Sequence, residues 1–191
     1  MQGKTIHLHD DLVKLCQSGD TRSHRKLYNL YSKAMYNICY RMVNDADDAA
    51  DILQEAFVSA FRNLESYHGD ATFGAWLKRI VINKAINFLK KRRLDLEPLN
   101  EGNHVWEKTE EPYDTNNYNI HSIKKAIQQL PEGYRLVFSL YLLEGYDHSE
   151  IAGILGITES TSKSQYNRAK KKLRELLNTE YNDDGRQRRS T

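Results

Sequence analysis

Cysteine and proline are scarce in this 191-residue chain, which has two of the first and three of the second. Cys16 and Cys39 stand alone, with no C-x-x-C pair or Cys/His cluster, so neither a disulfide framework nor a structural zinc site is indicated. Two reduced, half-buried thiols are the simpler reading. No uncharged apolar run approaches the roughly 20 residues that a membrane-crossing helix needs, and the chain reads as soluble. Met1 to Asp10 carries Lys4, His7, His9 and Asp10 and no apolar segment of the secretory kind, so a cytoplasmic location is expected. Catalytic patterns are missing too. The seven histidines are scattered, no H-E-x-x-H, G-x-S-x-G or phosphate loop occurs, and nothing sets a nucleophile beside a base. No enzyme activity, metal or cofactor is expected.

The alternating pattern of half-buried strands is also lacking, and apolar residues recur at helical spacing almost throughout. The expected fold is all-α, two small helical domains joined by a flexible acidic linker. Asp10 to Ser18 reads as a short helix stopped by Gly19, and a second begins near Thr21 and breaks at Asn44-Asp45. Ala49, Ile52, Leu53, Ala56, Phe57, Ala60, Phe61 and Leu64 form an unbroken i, i+3, i+4, i+7 stripe that must pack inward. After a loop, Phe73 to about Arg93 supplies Phe73, Trp76, Leu77, Ile80, Val81 and Phe88 to the same core. Residues 95–119 hold seven acids against one base, with Pro98 and Pro112, the composition of a self-repelling linker. Four more helices are expected over 120–178, and a polar tail, read as disordered, occupies 179–191.

The net charge of +2 hides an uneven distribution. Bases cluster at Lys90, Lys91, Arg92 and Arg93 and again from Lys163 to Arg174, each at the close of a helical pattern. Residues His148 to Tyr166 have the logic of a helix-turn-helix. Ala152 is small where two helices approach, Gly156 stands where the turn needs a positive φ, and Thr158 is placed to cap the next helix. That helix would enter a major groove by its N-terminal part, presenting donors and positive charge at Thr161, Lys163, Ser164, Gln165, Asn167, Arg168, Lys170 and Lys171. Ser162 stands where such units usually place Val or Ile, with Tyr166 expected to take over part of that packing.

Together these segments resemble the extracytoplasmic-function (ECF) sigma factors of the sigma-70 family. Asp-Ala-Ala-Asp-Ile-Leu-Gln-Glu-Ala-Phe (48–57) and Tyr-His-Gly-Asp-Ala-Thr-Phe-Gly-Ala-Trp-Leu-Lys-Arg-Ile (67–80) resemble region 2, assigned to 1–94. Leu-Pro-Glu-Gly-Tyr-Arg-Leu-Val-Phe (130–138) and Glu-Ile-Ala-Gly-Ile-Leu-Gly-Ile-Thr (150–158) resemble region 4, assigned to 120–178. The resemblance implies binding to core RNA polymerase, at the β′ clamp helices through Asp47, Asp51, Gln54, Glu55 and Arg62, and at the β flap. It implies capture of a flipped base of the −10 non-template strand by Tyr67, His68, Gly69 and Asp70, with Asn83, Asn87 and Lys90 spaced along one side of the next helix. The helix-turn-helix would read the double-stranded −35 element, and an anti-sigma factor is the implied regulator. Family members often carry Asp where Asn87 stands and Arg where Gln165 stands. For the linker, nucleic-acid mimicry near the polymerase exit path and a plain spacer remain equally open.

Two other classes compete. A receiver- or ligand-controlled regulator shares the C-terminal motif, but residues 1–94 show no alternating βα pattern and no acidic phosphorylation cluster. A helical adaptor or anti-sigma protein has no use for a basic recognition helix.

Overall fold

The computed structural model describes residues 8–95 and 119–187. Every regular element among them is helical: α1 (Asp10–Gln17), α2 (Thr21–Val43), α3 (Ala46–Arg62), a 3-10 turn (Leu64–Ser66), α4 (Phe73–Asp95), α5 (Ile120–Gln128), α6 (Glu132–Phe138) running into a π turn (Ser139–Leu143), α7 (His148–Leu155) and α8 (Glu159–Gln187). The expected linker, apart from its end residues Asp95 and Asn119, lies outside the described residues, as do residues 188–191. The sequence predicts a disordered tail after Thr179, but α8 continues as helix to Gln187. The apolar period fades after Leu177, yet no proline interrupts the chain there and the first glycine is Gly185.

Side-chain caps start the long helices. Asp20 accepts from the N–H groups of Arg22 and Ser23 ahead of α2, and Asp45 accepts from those of Asp47 and Asp48 ahead of α3, using donors that have no partner inside the helix. Asn44, at φ +58°, ends α2 in the left-handed conformation and lets α3 turn back along it.

α2, α3 and α4 pack against one another around fully buried Leu27, Cys39, Ala49, Ala56, Phe73, Leu77 and Val81. Burying a side chain the size of Leu77 or Phe73 stabilises the fold by about 1.5–3 kcal/mol each. Gly74 allows α4 to start close to α2, since a Cβ there would meet the Tyr31 ring at 2.9 Å. Both cysteines are buried in this half.

The second half has a small core of its own, Ile127, Leu130, Phe138 and Ala169, with Tyr166, Leu173 and Leu176 beside it. Leu136, Val137, Leu140 and Ile151 face the other way and are continuous with the core of the first half. α6 therefore serves two cores at once.

Candidate nucleic-acid interface

The helix-turn-helix is held at each joint. Asp147 and Glu150 form a reciprocal capping box at the start of α7, with bonds of 2.8 and 2.9 Å. Gly156, at φ +71°, closes α7, and its N–H donates to the Ala152 carbonyl. Thr158 Oγ1 accepts the Thr161 N–H at 3.0 Å and caps α8. The odd Ser162 is fully buried and pairs with His148, Oγ to Nδ1 at 2.9 Å. The His148 ring stacks on Tyr141 at 4.4 Å and 12°, and Tyr166 lies against both rings. A satisfied polar joint roofed by aromatics thus replaces the usual aliphatic contact between the two helices.

The structure sorts the residues expected on the DNA-facing helix. Lys163, Asn167 and Lys171 are exposed along one side of α8, and Ser164 and Arg168 are half-buried. Lys163 also pairs with Glu159 one turn back. Thr161 is tied to Thr158, Lys170 holds its Nζ 4.8 Å over the Tyr166 ring, and Gln165 turns toward α6, where a Cβ at Gly133 would come within 3.2 Å of its amide oxygen. The last contact accounts for an amide at Gln165, since it packs against a neighbouring helix.

In the loop before α4, His68 and Asp70 are exposed and Gly69 takes φ +82°. Tyr67 points the other way. It is buried against Phe73 and Trp76, its hydroxyl donates to the Ala71 carbonyl at 2.8 Å, and Asp10 lies 3.3 Å away. Burial, and then the Asp10 charge, push its pKa up to about 12. Tyr67 shapes the loop from beneath. The aromatic set Tyr67, Phe73 and Trp76 is the sequence signal for this. Asn83, Asn87 and Lys90 lie along the outer side of α4, as their spacing requires, and with Ile86, Glu150, Gly153 and Ile154 they line a cleft of about 480 Å³ between α4 and α7.

On α3 the five residues expected to meet polymerase, Asp47, Asp51, Gln54, Glu55 and Arg62, are all exposed. Val58 is 44% exposed in the middle of this face, an apolar contact point that charge patterning misses. Arg92, one of the basic run at the end of α4, spans Asp48 of α3 at 3.5 Å and Glu132 of α6 at 2.9 Å. Among the described residues no group of three or more His, Cys, Asp or Glu gathers as a metal site, and no helix is long and apolar enough to cross a membrane.

A three-helix body with a polar outer helix, followed by a helix-turn-helix with a cationic second helix, defines a two-domain transcription initiation factor of the sigma type. Residues 27–94 match the model of sigma-70 region 2, and residues 120–173 match that of sigma-70 region 4. The RNA polymerase sigma-H factor of Pseudomonas aeruginosa is 32% identical over 180 residues, covering 87% of this chain and 92% of that protein. The ECF RNA polymerase sigma-E factor of Escherichia coli K12 is 30% identical over 173 residues, 85% and 90% of the two chains. The sigma factor RpoE of Bartonella quintana, solved in complex with the anti-sigma factor NepR, shares the fold at a TM-score of 0.54 and 23% identity, covering 83% of this chain and 98% of that one. The chain belongs to the sigma-70 family, as one of its ECF sigma factors. It binds core RNA polymerase and directs promoter-specific initiation of transcription.

Proposed function

We propose that residues 1–94 engage the polymerase and open the −10 element, that 120–178 read the −35 element, and that 95–119 connect the two. On α3, Asp47, Asp51, Gln54, Glu55 and Arg62 meet the β′ clamp helices, with Val58 among them; the β flap receives the second half. His68, Gly69 and Asp70 receive the flipped −10 base over a floor set by Tyr67, and Asn83, Asn87 and Lys90 supply amide and cationic contacts to the single strand. On α8, Lys163, Asn167 and Lys171 lead the approach to the −35 duplex, supported by Ser164, Arg168 and Lys170, while Thr161 and Gln165 hold the helix in place. The chain acts as a cytoplasmic initiation factor and performs no catalysis of its own. An anti-sigma protein is its regulator, as for the similar B. quintana factor, whose structure is a complex with one.

The observation that carries this reading is the exposed row Lys163, Asn167, Lys171 on a helix capped at Thr158 and seated through Ser162. The test is in vitro transcription with purified core polymerase on a genomic library, sequencing RNA 5′ ends. Asn167→Ala is expected to lower initiation at −35-dependent starts by about tenfold or more, the worth of one good base contact, with polymerase co-purification intact. Asp51→Ala with Glu55→Ala should do the reverse, weakening polymerase association in a protein that still binds −35 duplex. Equal loss of both functions in either variant would remove the assignment.

A further inference from the structure

Helix α1 adds only eight residues to the first half, and side chains at both of its ends reach the same loop. At the C-terminal end, Gln17 Nε2 donates to the Leu64 carbonyl at 3.0 Å and to the Tyr67 carbonyl at 3.4 Å. At the N-terminal end, Asp10 lies 3.3 Å from the Tyr67 hydroxyl, and the adjoining His9 is hydrogen-bonded to the Tyr31 hydroxyl at 2.9 Å. Asp10 and Gln17 stand two helical turns apart and so share one side of α1. Buried Val13 and Cys16 fasten the helix to the core between them.

Tyr67 is thus met at its backbone and at its hydroxyl by a single helix. That hydroxyl bridges the loop by donating to the Ala71 carbonyl at 2.8 Å, and the next residue, Thr72, accepts the Ala75 N–H at 3.2 Å where α4 begins. Burial, and then the Asp10 charge, keep the phenol protonated at neutral pH, so it remains the donor of the bridge. Between the two anchors stand only His68, Gly69 and Asp70, with Gly69 at φ +82° and the other two exposed. Any residue that had to be ordered at the moment of capture would subtract from an affinity already reduced by unstacking the base, so a preformed loop captures better. We propose that α1 is the splint of this loop, with Gln17 and Asp10 as positioning residues for base capture that act through Tyr67 and do not touch DNA, an inference that rests on the loop being the one that receives the flipped −10 base.

The experiment uses holoenzyme assembled from the full chain and core polymerase. Its probes are fluorescent non-template single strands carrying the −10 sequence found upstream of the mapped starts, either intact or with an abasic site at each −10 position in turn. Gln17→Met keeps the side-chain length and loses the donor, and Tyr67→Phe keeps the buried ring and loses the hydroxyl that Asp10 and Ala71 both approach. Wild type is expected to prefer the intact strand at the captured position by about fivefold or more. In each variant that preference should fall by about threefold or more. Affinity for core polymerase and for −35 duplex should stay within about twofold of wild type, since both surfaces lie away from this loop. An undiminished preference in both variants would overturn the splint, even with some loss of thermal stability, because a purely structural role weakens binding of intact and abasic strands alike. If wild type itself shows no preference at any position, the base-capturing role of the loop falls, and the splint with it.

Discussion

The two halves of the chain are built by different means. The first buries continuous aliphatic and aromatic stripes of three long helices against one another, around fully buried Leu27, Phe73, Leu77 and Val81. The second has a core of four buried residues and turns Leu136, Val137, Leu140 and Ile151 toward the first half. Its own joints are polar or aromatic: a capping box, a left-handed glycine, a serine on a histidine. The first half is therefore held by a deep apolar core, and the second by local caps together with the apolar surface it shares with the first.

The sharpest way to break this contrast is to hollow out the first core. Phe73→Ala is expected to cost about 3–5 kcal/mol in urea denaturation, a large share of the roughly 5–15 kcal/mol that typically holds a domain folded. Cys16 and Cys39 both report on this half. Burial is the main cause pushing their thiols up, to about 11 and about 12, so both stay neutral and unreactive at pH 8 while it is folded. In the unfolded chain they ionise near about 8.5. Folded values above unfolded ones mean that this contribution to stability is full below about pH 8 and is lost as pH rises past it. Thiol labelling in Phe73→Ala should therefore proceed at far lower urea than in wild type. A cost under about 1 kcal/mol would show that the first core is no deeper than the second.

A smaller effect tests the polar joint of the second half. Ser162→Ala removes the partner of His148 Nδ1, and His148→Ala removes the partner of a fully buried hydroxyl, so each is expected to cost about 1–3 kcal/mol. The two form one contact, and the double variant should cost clearly less than the sum. Additive losses in a denaturation cycle would mean that the two side chains pack independently and that the joint is not a hydrogen bond in solution. Ser162→Val, closer to the usual aliphatic choice, should not restore stability, because its methyl groups cannot satisfy His148.

How much of the fold and site is legible in the sequence depends on the range of the interactions. Caps and stripes act within a turn or two, so residue order alone places α2 to α4, the break at Asn44-Asp45, the turn at Gly156 and the cap at Thr158. The helix after Thr179 escapes sequence reasoning because its propensity outlasts its apolar period. The loop motif makes Tyr67 a contact for DNA, but its ring packs inward on Phe73 and Trp76, its hydroxyl donates to the Ala71 carbonyl, and Asp10, 57 residues away in the chain, approaches from α1. Glu144 on Arg41 and Lys78, and Arg135 on the end of α2, join positions 66 to 103 residues apart. No local pattern marks them, and a basic run gives no sign that one of its members, Arg92, is already committed to two carboxylates.

The smallest effect concerns a residue with two possible uses. Lys170 sits over the Tyr166 ring, inside the aromatic cluster that roofs the joint, and also on the helix that approaches DNA. A cation over an aromatic face at a partly exposed site contributes about 0.5–1 kcal/mol. Lys170→Met keeps the stem that covers the ring and removes the charge, so stability should fall by no more than that. If Lys170 also meets a phosphate, the salt dependence of −35 duplex binding should flatten by about one unit of slope. An unchanged slope with the same small stability loss would assign Lys170 to holding Tyr166, leaving Lys163 and Lys171 as the phosphate contacts. The second half would then be still more clearly the one in which polar side chains are committed to the fold.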